Sequence, residues 1–258
     1  MKDPQRELAA KRIDRLRDLI RKSRVIRVEE ASRHLRVSAA TVRRDLDQLE
    51  SLGEVQRVHG GAVSIDTLLE EPLFDDKTAL AAKQKHRIAR AALKLIKPNH
   101  TVYLDGGSTV LELARMIRNR TSITVVTNSL RAAFELATPG PRLILVGGEL
   151  RRLSQTMVGP LTRQLLDQLN LDIAFMGTIG LSLEAGLTTT DPAEAYTKEL
   201  VMTKSREVIL LADSSKLGRV SFARAGSLDR VKTLITDDEA EEQIVAELEK
   251  KGIEVIRT

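Results

Sequence analysis

The stretch Val37-Ser38-Ala39-Ala40-Thr41-Val42-Arg43-Arg44-Asp45-Leu46-Asp47-Gln48-Leu49-Glu50, continued by Leu52-Gly53-Glu54-Val55-Gln56-Arg57-Val58-His59-Gly60-Gly61-Ala62, decides the fold of the N-terminal part. Its first half reads as a helix. Ser38 suits the N-cap, where its hydroxyl can accept a free backbone N–H. Val42, Leu46 and Leu49 fall at i, i+4 and i+7 and make one apolar stripe. Ala40, Arg44, Asp47 and Ser51 then lie opposite, flanked by Thr41, Arg43 and Gln48. Small side chains permit close approach, and guanidiniums fork onto guanine or phosphate, so Ser38, Ala40, Thr41, Arg43, Arg44 and Asp47 are the expected major-groove face. The second half turns at Gly53 and again at Gly60-Gly61, which predicts a short β-ribbon. Its expected geometry places Arg57 and His59 on one face, facing DNA, with Val55 and Val58 in the body. A single basic amphipathic helix is usually just a solvated face. Turn, helix and ribbon together specify a winged helix-turn-helix.

Upstream, Arg6 to Lys22 carries Ile13, Leu16, Leu19 and Ile20 at helical spacing, Val25–Val28 reads as an extended or turn segment, and Glu29–Leu35 as a second short helix. The DNA-binding domain is thus expected over residues 1–63. Charge divides the same way. Residues 1–63 hold 15 Lys and Arg against 10 Asp and Glu, so the whole net charge of +5 sits there and the remainder is balanced. That asymmetry points to double-stranded DNA as partner. With 258 residues, 42% hydrophobic and 30% charged, the chain has room for a second, well-packed domain. It has no Cys, which excludes disulfides and thiolate metal sites and fits a reducing compartment. The polar N-terminus is no signal peptide and no apolar run reaches spanning length, so a cytoplasmic protein without membrane association is expected.

Downstream, residues 64–78 turn acidic and contain Pro72; they are the expected linker. Residues 79–258 follow as an α/β domain. A helix is expected over Ala79–Ile96. Apolar runs at Thr101–Asp105, Ile123–Thr127, Arg142–Gly147, Asp172–Met176, Glu207–Ala212, Thr233–Thr236 and Ile253–Ile256 then alternate with helical patterns at Ser108–Ile117, Leu130–Ala137, Pro160–Leu169, Ala193–Thr203 and Glu239–Lys250. Short Val/Ile/Leu runs separated by helices predict a mainly parallel sheet covered on both faces.

In such sheets ligands collect beyond the carboxyl ends of the strands. Asp105-Gly106-Gly107-Ser108-Thr109 follows the first strand and opens a helix, so Asp105, Gly107, Ser108 and Thr109 can form a phosphate cradle of backbone N–H groups and hydroxyls. Thr127 and Asn128, Gly147 and Gly148, and Gly177 end the next strands, and Lys216 follows Asp213 where a cation can meet an anion. Each turn alone does no more than punctuate a strand; together they line one edge of the sheet. For catalysis and metals little appears. His34, His59, His86 and His100 are scattered without ligand spacing, and no nucleophile elbow, Walker loop or dinucleotide fingerprint is present, so no cofactor is expected.

With these residues laid out, the chain resembles the DeoR family of bacterial transcriptional regulators over almost its whole length. The resemblance rests on Val37-Ser38, Thr41 to Leu46, Leu49-Glu50, Gly53 and Arg57 to Ala62. In the second domain it rests on Asp105 to Thr109, Thr127 to Ser129, Gly147 to Leu150, Phe175 to Gly180, Gly186 to Thr188, Glu194, Lys198 and Asp213 to Gly218. It implies a sensor domain similar to ribose-5-phosphate isomerase that binds a phosphorylated sugar or related metabolite, and it adds Lys198 to the effector-binding residues. Thr197-Lys198-Glu199 and Ala212 to Lys216 look like two segments of the isomerase site. The isomerase also needs an acidic stretch after a central strand, where this chain has Gly177-Thr178-Ile179-Gly180. Enolisation needs a positioned base. The expectation is therefore a repressor of a sugar operon, acting as a dimer or tetramer on paired half-sites, with residues 64–78 as hinge. The alternative is a sugar-phosphate isomerase fused to a DNA-binding module.

Overall fold

A computed structural model describes residues 4–23, 25–52, 54–58, 60–64, 71 and 74–258. The chain divides into two compact units, Met1–Glu70 and Glu71–Thr258. The first contains α1 (Pro4–Ser23), β1 (Val25–Arg27), α2 (Val28–Leu35), α3 (Ala39–Ser51), β2 (Val55–Val58) and β3 (Gly61–Ser64). Its core joins Ile13, Leu16 and Ile20 of α1 to Val42, Leu46 and Leu49 of α3, as the two stripes predict. Ser38 caps α3 by accepting the Thr41 N–H at 3.2 Å. The extended segment before α2 is a third strand: β1 pairs antiparallel with β3, which also pairs with β2. Gly61 permits this, since a Cβ there would stand 2.1 Å from the Ile26 carbonyl oxygen.

The second unit carries a seven-stranded parallel sheet in the order β15-β14-β12-β9-β4-β5-β6. These strands are β4 (Thr101–Leu104), β5 (Thr124–Thr127), β6 (Arg142–Leu145), β9 (Leu171–Met176), β12 (Ser205–Leu211), β14 (Thr233–Thr236) and β15 (Glu254–Arg257). Both faces are covered. Val102 and Leu104 pack on one side with Ile173 and Phe175, while Tyr103 packs on the other with Ala174 and Met176. The helices are α4 (Phe74–Ala79), α5 (Ala82–Leu93), α6 (Ser108–Ile117), α7 (Leu130–Leu136), α8 (Arg163–Leu166), α9 (Pro192–Lys204) and α10 (Glu242–Lys250). A hairpin of β7 (Glu149–Arg151) and β8 (Thr156–Val158), and a small sheet of β10 (Gly180–Ser182), β11 (Gly186–Thr189) and β13 (Ala223–Gly226), complete the unit. From β4 the chain builds outward through β5 to β6, then returns to β9 on the other side of β4. The direction therefore reverses between β4 and β9, which places the ligand crevice beyond their carboxyl ends.

Three expectations need correction. The acidic stretch over 64–78 is not linker throughout: Phe74 is buried in the sensor core, and Glu71 is held by Lys77 and Arg151. The sensor unit thus starts at Glu71 rather than at residue 79, because its acidic and apolar side chains find partners distant in sequence. Residues 65–70, 72 and 73, like Gly53 and His59, lie outside the described residues. The helix expected over Ala79–Ile96 is the shorter α5, Ala82–Leu93, set off from α4 upstream where Ala81 takes a left-handed φ of 52°. Among the described residues no helix is long and apolar enough to cross a membrane.

Candidate functional site

In the N-terminal unit, Ala40, Arg43, Arg44, Asp47, Gln48 and Ser51 are all exposed on α3, opposite its buried stripe, and Ser38 is exposed before it; Thr41 is half-buried. Asp45 is buried and receives both Nε and Nη2 of Arg12 at 2.6 and 2.8 Å, which pins α3 to α1. The wing differs from expectation. Val55 and Arg57 share a parity on β2, so Arg57 turns back to α3: its guanidinium donates to the Arg43 carbonyl and stands 3.3 Å from Asp47. Its own N–H donates to Glu50 at 2.8 Å. Arg57 and Asp47 therefore neutralise each other in part, leaving Arg43 and Arg44 as the outward cations of the helix face.

In the second unit, three of the expected residues meet at the β4/β9 crevice. Asp105, 3% exposed, accepts the Gly177 N–H at 2.9 Å and the Lys198 ammonium. Lys198, also 3% exposed, donates to the Gly177 carbonyl at 3.1 Å and lies 3.5 Å from Glu194. Burial works against its charge, but the Asp105 and Glu194 carboxylates outweigh it and raise the ammonium above the ordinary lysine value. Glu194 shows the reverse balance: burial pushes its carboxyl up despite Lys198. Gly107 is the N-cap residue of α6, with a φ of +145° that favours glycine. A Cβ there would meet nothing within 4 Å, so space opens beside a helix start that makes no side-chain cap bond. Ser108 and Thr109 are buried in that first turn.

Thr127 and Asn128 mainly stitch the scaffold. The Thr127 hydroxyl donates to the Leu104 carbonyl at 2.7 Å, and Asn128 Nδ2 to the Met157 carbonyl at 2.9 Å. Gly147 and Gly148 lead β6 into the β7–β8 hairpin, which delivers Arg151. Among the described residues, Asn128 Oδ1 and the Tyr103 hydroxyl are buried without a partner. Buried polar atoms are normally paired, so these two call for a water or ligand group.

Lys216 belongs to a cation cluster that sequence reading found only in part. Burial lowers its ammonium, with Arg219 and Lys77 lowering it further and Asp213 opposing. Lys85, buried on the apolar stripe of α5 with Ile88, Ala89 and Ala92, is lowered in the same way, chiefly by burial, with Lys216 and Lys77 adding to it. It donates to the carbonyls of Lys77 and Leu80. A lysine on an otherwise apolar stripe was the readable signal here. Arg151 has no such signal. It meets Glu71 at 2.7 Å, Glu194 at 3.2 Å, Asp191 at 3.5 Å and the Thr190 hydroxyl at 3.0 Å. Burial and neighbouring cations thus disfavour the charge of Lys85 and Lys216, whereas Arg151 is matched by three carboxylates.

Residues 12–68 match the DeoR-like helix-turn-helix domain and residues 80–238 the DeoR C-terminal sensor domain. The chain belongs to the DeoR family. It is 38% identical to the HTH-type transcriptional regulator GlpR of Haloferax volcanii, over 96% of this chain and 98% of that one. It is 33% identical to the glycerol-3-phosphate regulon repressor of Escherichia coli, over 85% and 87%. A likeness to ribose 5-phosphate isomerase A of Methanocaldococcus jannaschii has a TM-score of 0.40 and 22% identity, and covers 53% of this chain and 54% of that one; no chemistry is taken from it. As a DeoR-family member the chain is a transcriptional regulator with a DNA-binding winged helix and a C-terminal sensor domain.

Proposed function

We propose that this regulator represses a carbohydrate operon and is controlled by a phosphorylated sugar held at the β4/β9 crevice. The observation that carries the reading is geometric: α6 starts at Gly107 beside open space, at the switch point where Asp105, Gly177 and Lys198 meet, and Lys216 follows the neighbouring strand β12 with its charge disfavoured by burial. A phosphate takes backbone N–H groups at a helix start and ammonium groups at once, and relieves the mutual repulsion of the lysines. Ser108 and Thr109 supply hydroxyls, while Asp105, Gly177 and Lys198 brace the crevice and Asn128 with Tyr103 offer polar atoms to the sugar. The names of the relatives, regulators of glycerol 3-phosphate and other carbohydrate genes, support the same class of effector.

On the DNA side, Ser38, Ala40, Thr41, Arg43 and Arg44 form the groove-facing surface, and Arg57 positions the helix through Asp47. A charge excess of only +5 per DNA-binding unit favours a dimer or tetramer on paired half-sites, in the cytoplasm. Thermal-shift titration of the full chain with phosphorylated and unphosphorylated sugars tests the sensor reading. A matching phosphosugar at about 100 times its Kd adds roughly 2.7 kcal/mol, and the free sugar adds none. Stabilisation by both alike would refute a phosphate site.

The isomerase alternative finds little support in the geometry. The turn at 177–180 carries no carboxylate, Glu199 is exposed, and Asp105 and Glu194 are engaged by Lys198 and Arg151. Turnover of pentose or hexose phosphates above the buffer rate would overturn the non-enzymatic reading.

A further inference from the structure

Among the buried acids of the sensor, Asp105 and Asp237 serve the backbone: Asp105 accepts the Gly177 N–H, and Asp237 accepts those of Ser214 and Glu239. Glu194 is held by Arg151 and Lys198. Glu71, its side chain only 1% exposed, takes no backbone N–H among the described residues. It is held instead by the Lys77 ammonium, by Arg151 Nη2 at 2.7 Å and by the Thr190 hydroxyl at 2.6 Å, and it acts electrostatically on Lys216. Two cations and a hydroxyl converging on one carboxylate are the contacts an anionic ligand would make. Burial opposes the charge of this carboxyl, but Lys77 and Arg151 overcome it and hold its pKa down at about 2.

We propose that Glu71 is a tethered stand-in for the effector's phosphate: without effector its carboxylate occupies part of the cation cluster, and the effector binds by displacing it. The inference rests on the reading of this pocket as an anion site. Lys77 is the shared group: its ammonium pairs with Glu71, and its backbone carbonyl accepts the buried Lys85 ammonium. Glu71 directly follows residues 65–70, which join the sensor to the DNA-binding unit. Effector occupancy and attachment of that connector at Glu71 are then mutually exclusive, and by linkage each weakens the other by the same factor.

The test uses the full chain with inorganic phosphate as probe, followed by isothermal titration and by hydrogen exchange. Glu71→Gln keeps the side-chain shape and removes the charge, and should bind phosphate at least tenfold more tightly than wild type. In wild type, phosphate should speed amide exchange in the peptide containing Glu71 while slowing it at residues 105–111. Thr190→Val, which removes only a hydroxyl from Glu71, should give a gain of about threefold in the same direction and serves if Glu71→Gln fails to fold. Wild-type binding with no gain in either variant, or slowed exchange at Glu71, would make Glu71 a structural ion pair and overturn the displacement while leaving the anion site standing. Absence of phosphate binding in wild type and both variants would overturn both readings.

Discussion

Two lysines of the crevice look alike in sequence and differ in physics. Lys198 is locked between Asp105 and Glu194, so Lys198→Met leaves buried carboxylates without their cation. Removing one partner of such a pair costs about 3–5 kcal/mol, which should appear as a sharply lowered Tm of the sensor. Lys216 has no ion pair among the described residues, and its charge is already disfavoured by burial, Arg219 and Lys77. Lys216→Ala should therefore leave Tm within a few degrees of wild type while abolishing stabilisation by phosphosugar. Equal loss of stability in both variants would contradict this division of roles. On α3 the outward arginines decide the outcome. If Arg44 forks onto a guanine, Arg44→Ala costs roughly 1–3 kcal/mol of operator affinity and relaxes specificity at one base pair; a phosphate contact would instead lower the salt slope alike on all sequences. Unchanged operator binding would place the groove face elsewhere. Glu71 also sets an acid limit. Its folded value of about 2 lies below the usual carboxyl value of 4.5, so the stability it contributes is complete above 4.5 and is lost as pH falls from there towards 2. The drop in sensor Tm across that window should be smaller in Glu71→Gln than in wild type.

At the scale of elements, the parts dominated by local periodicity were legible and those completed by distant partners were not. The strands of the parallel sheet read directly from short runs of Val, Ile and Leu, and α3 from Ser38 and its stripe. The β7–β8 hairpin and the β10-β11-β13 sheet escaped, since their strands are short and carry no run of Val, Ile or Leu. The domain boundary slipped for a related reason: Glu71 and Asp75-Asp76 look like solvated linker until Arg151, some eighty residues on, accounts for Glu71. For the site, the turns at Asp105, Gly177 and Lys216 were visible as glycine-rich or charged strand ends, whereas Lys85 was passed over on its apolar stripe and Arg151 gave no local sign. Periodicity along the ribbon sets Arg57 with His59 towards DNA, but Val55 and Arg57 lie on the same side of β2, and that side meets α3. The most telling element is the start of α6. Gly107→Ala forces a side chain into a φ of +145°, a strain of about 1–3 kcal/mol, while filling no occupied space. Effector affinity should fall at least tenfold while α3 still binds operator, as titration and anisotropy would show; full effector affinity would remove this turn from the site.

For the whole molecule, the charge excess of the DNA-binding unit and the cation cluster of the sensor divide the work between two bodies joined by residues 65–70. Control requires that the effector bind one functional state better than the other; moving a population from 1:99 to 99:1 takes about 5.5 kcal/mol of differential binding, which an oligomer can share among its subunits. A bound phosphate that pairs with Lys77, Lys85 and Lys216 and displaces an internal carboxylate is a source of that difference. The most direct test is operator binding by fluorescence anisotropy, for wild type and Lys216→Ala, with and without the phosphosugar that stabilises the wild-type protein. The predicted result is a wild-type operator affinity that shifts at least tenfold with effector, against a Lys216→Ala affinity equal to effector-free wild type and unmoved by it. A Lys216→Ala protein that responded to the effector as wild type does would contradict the account.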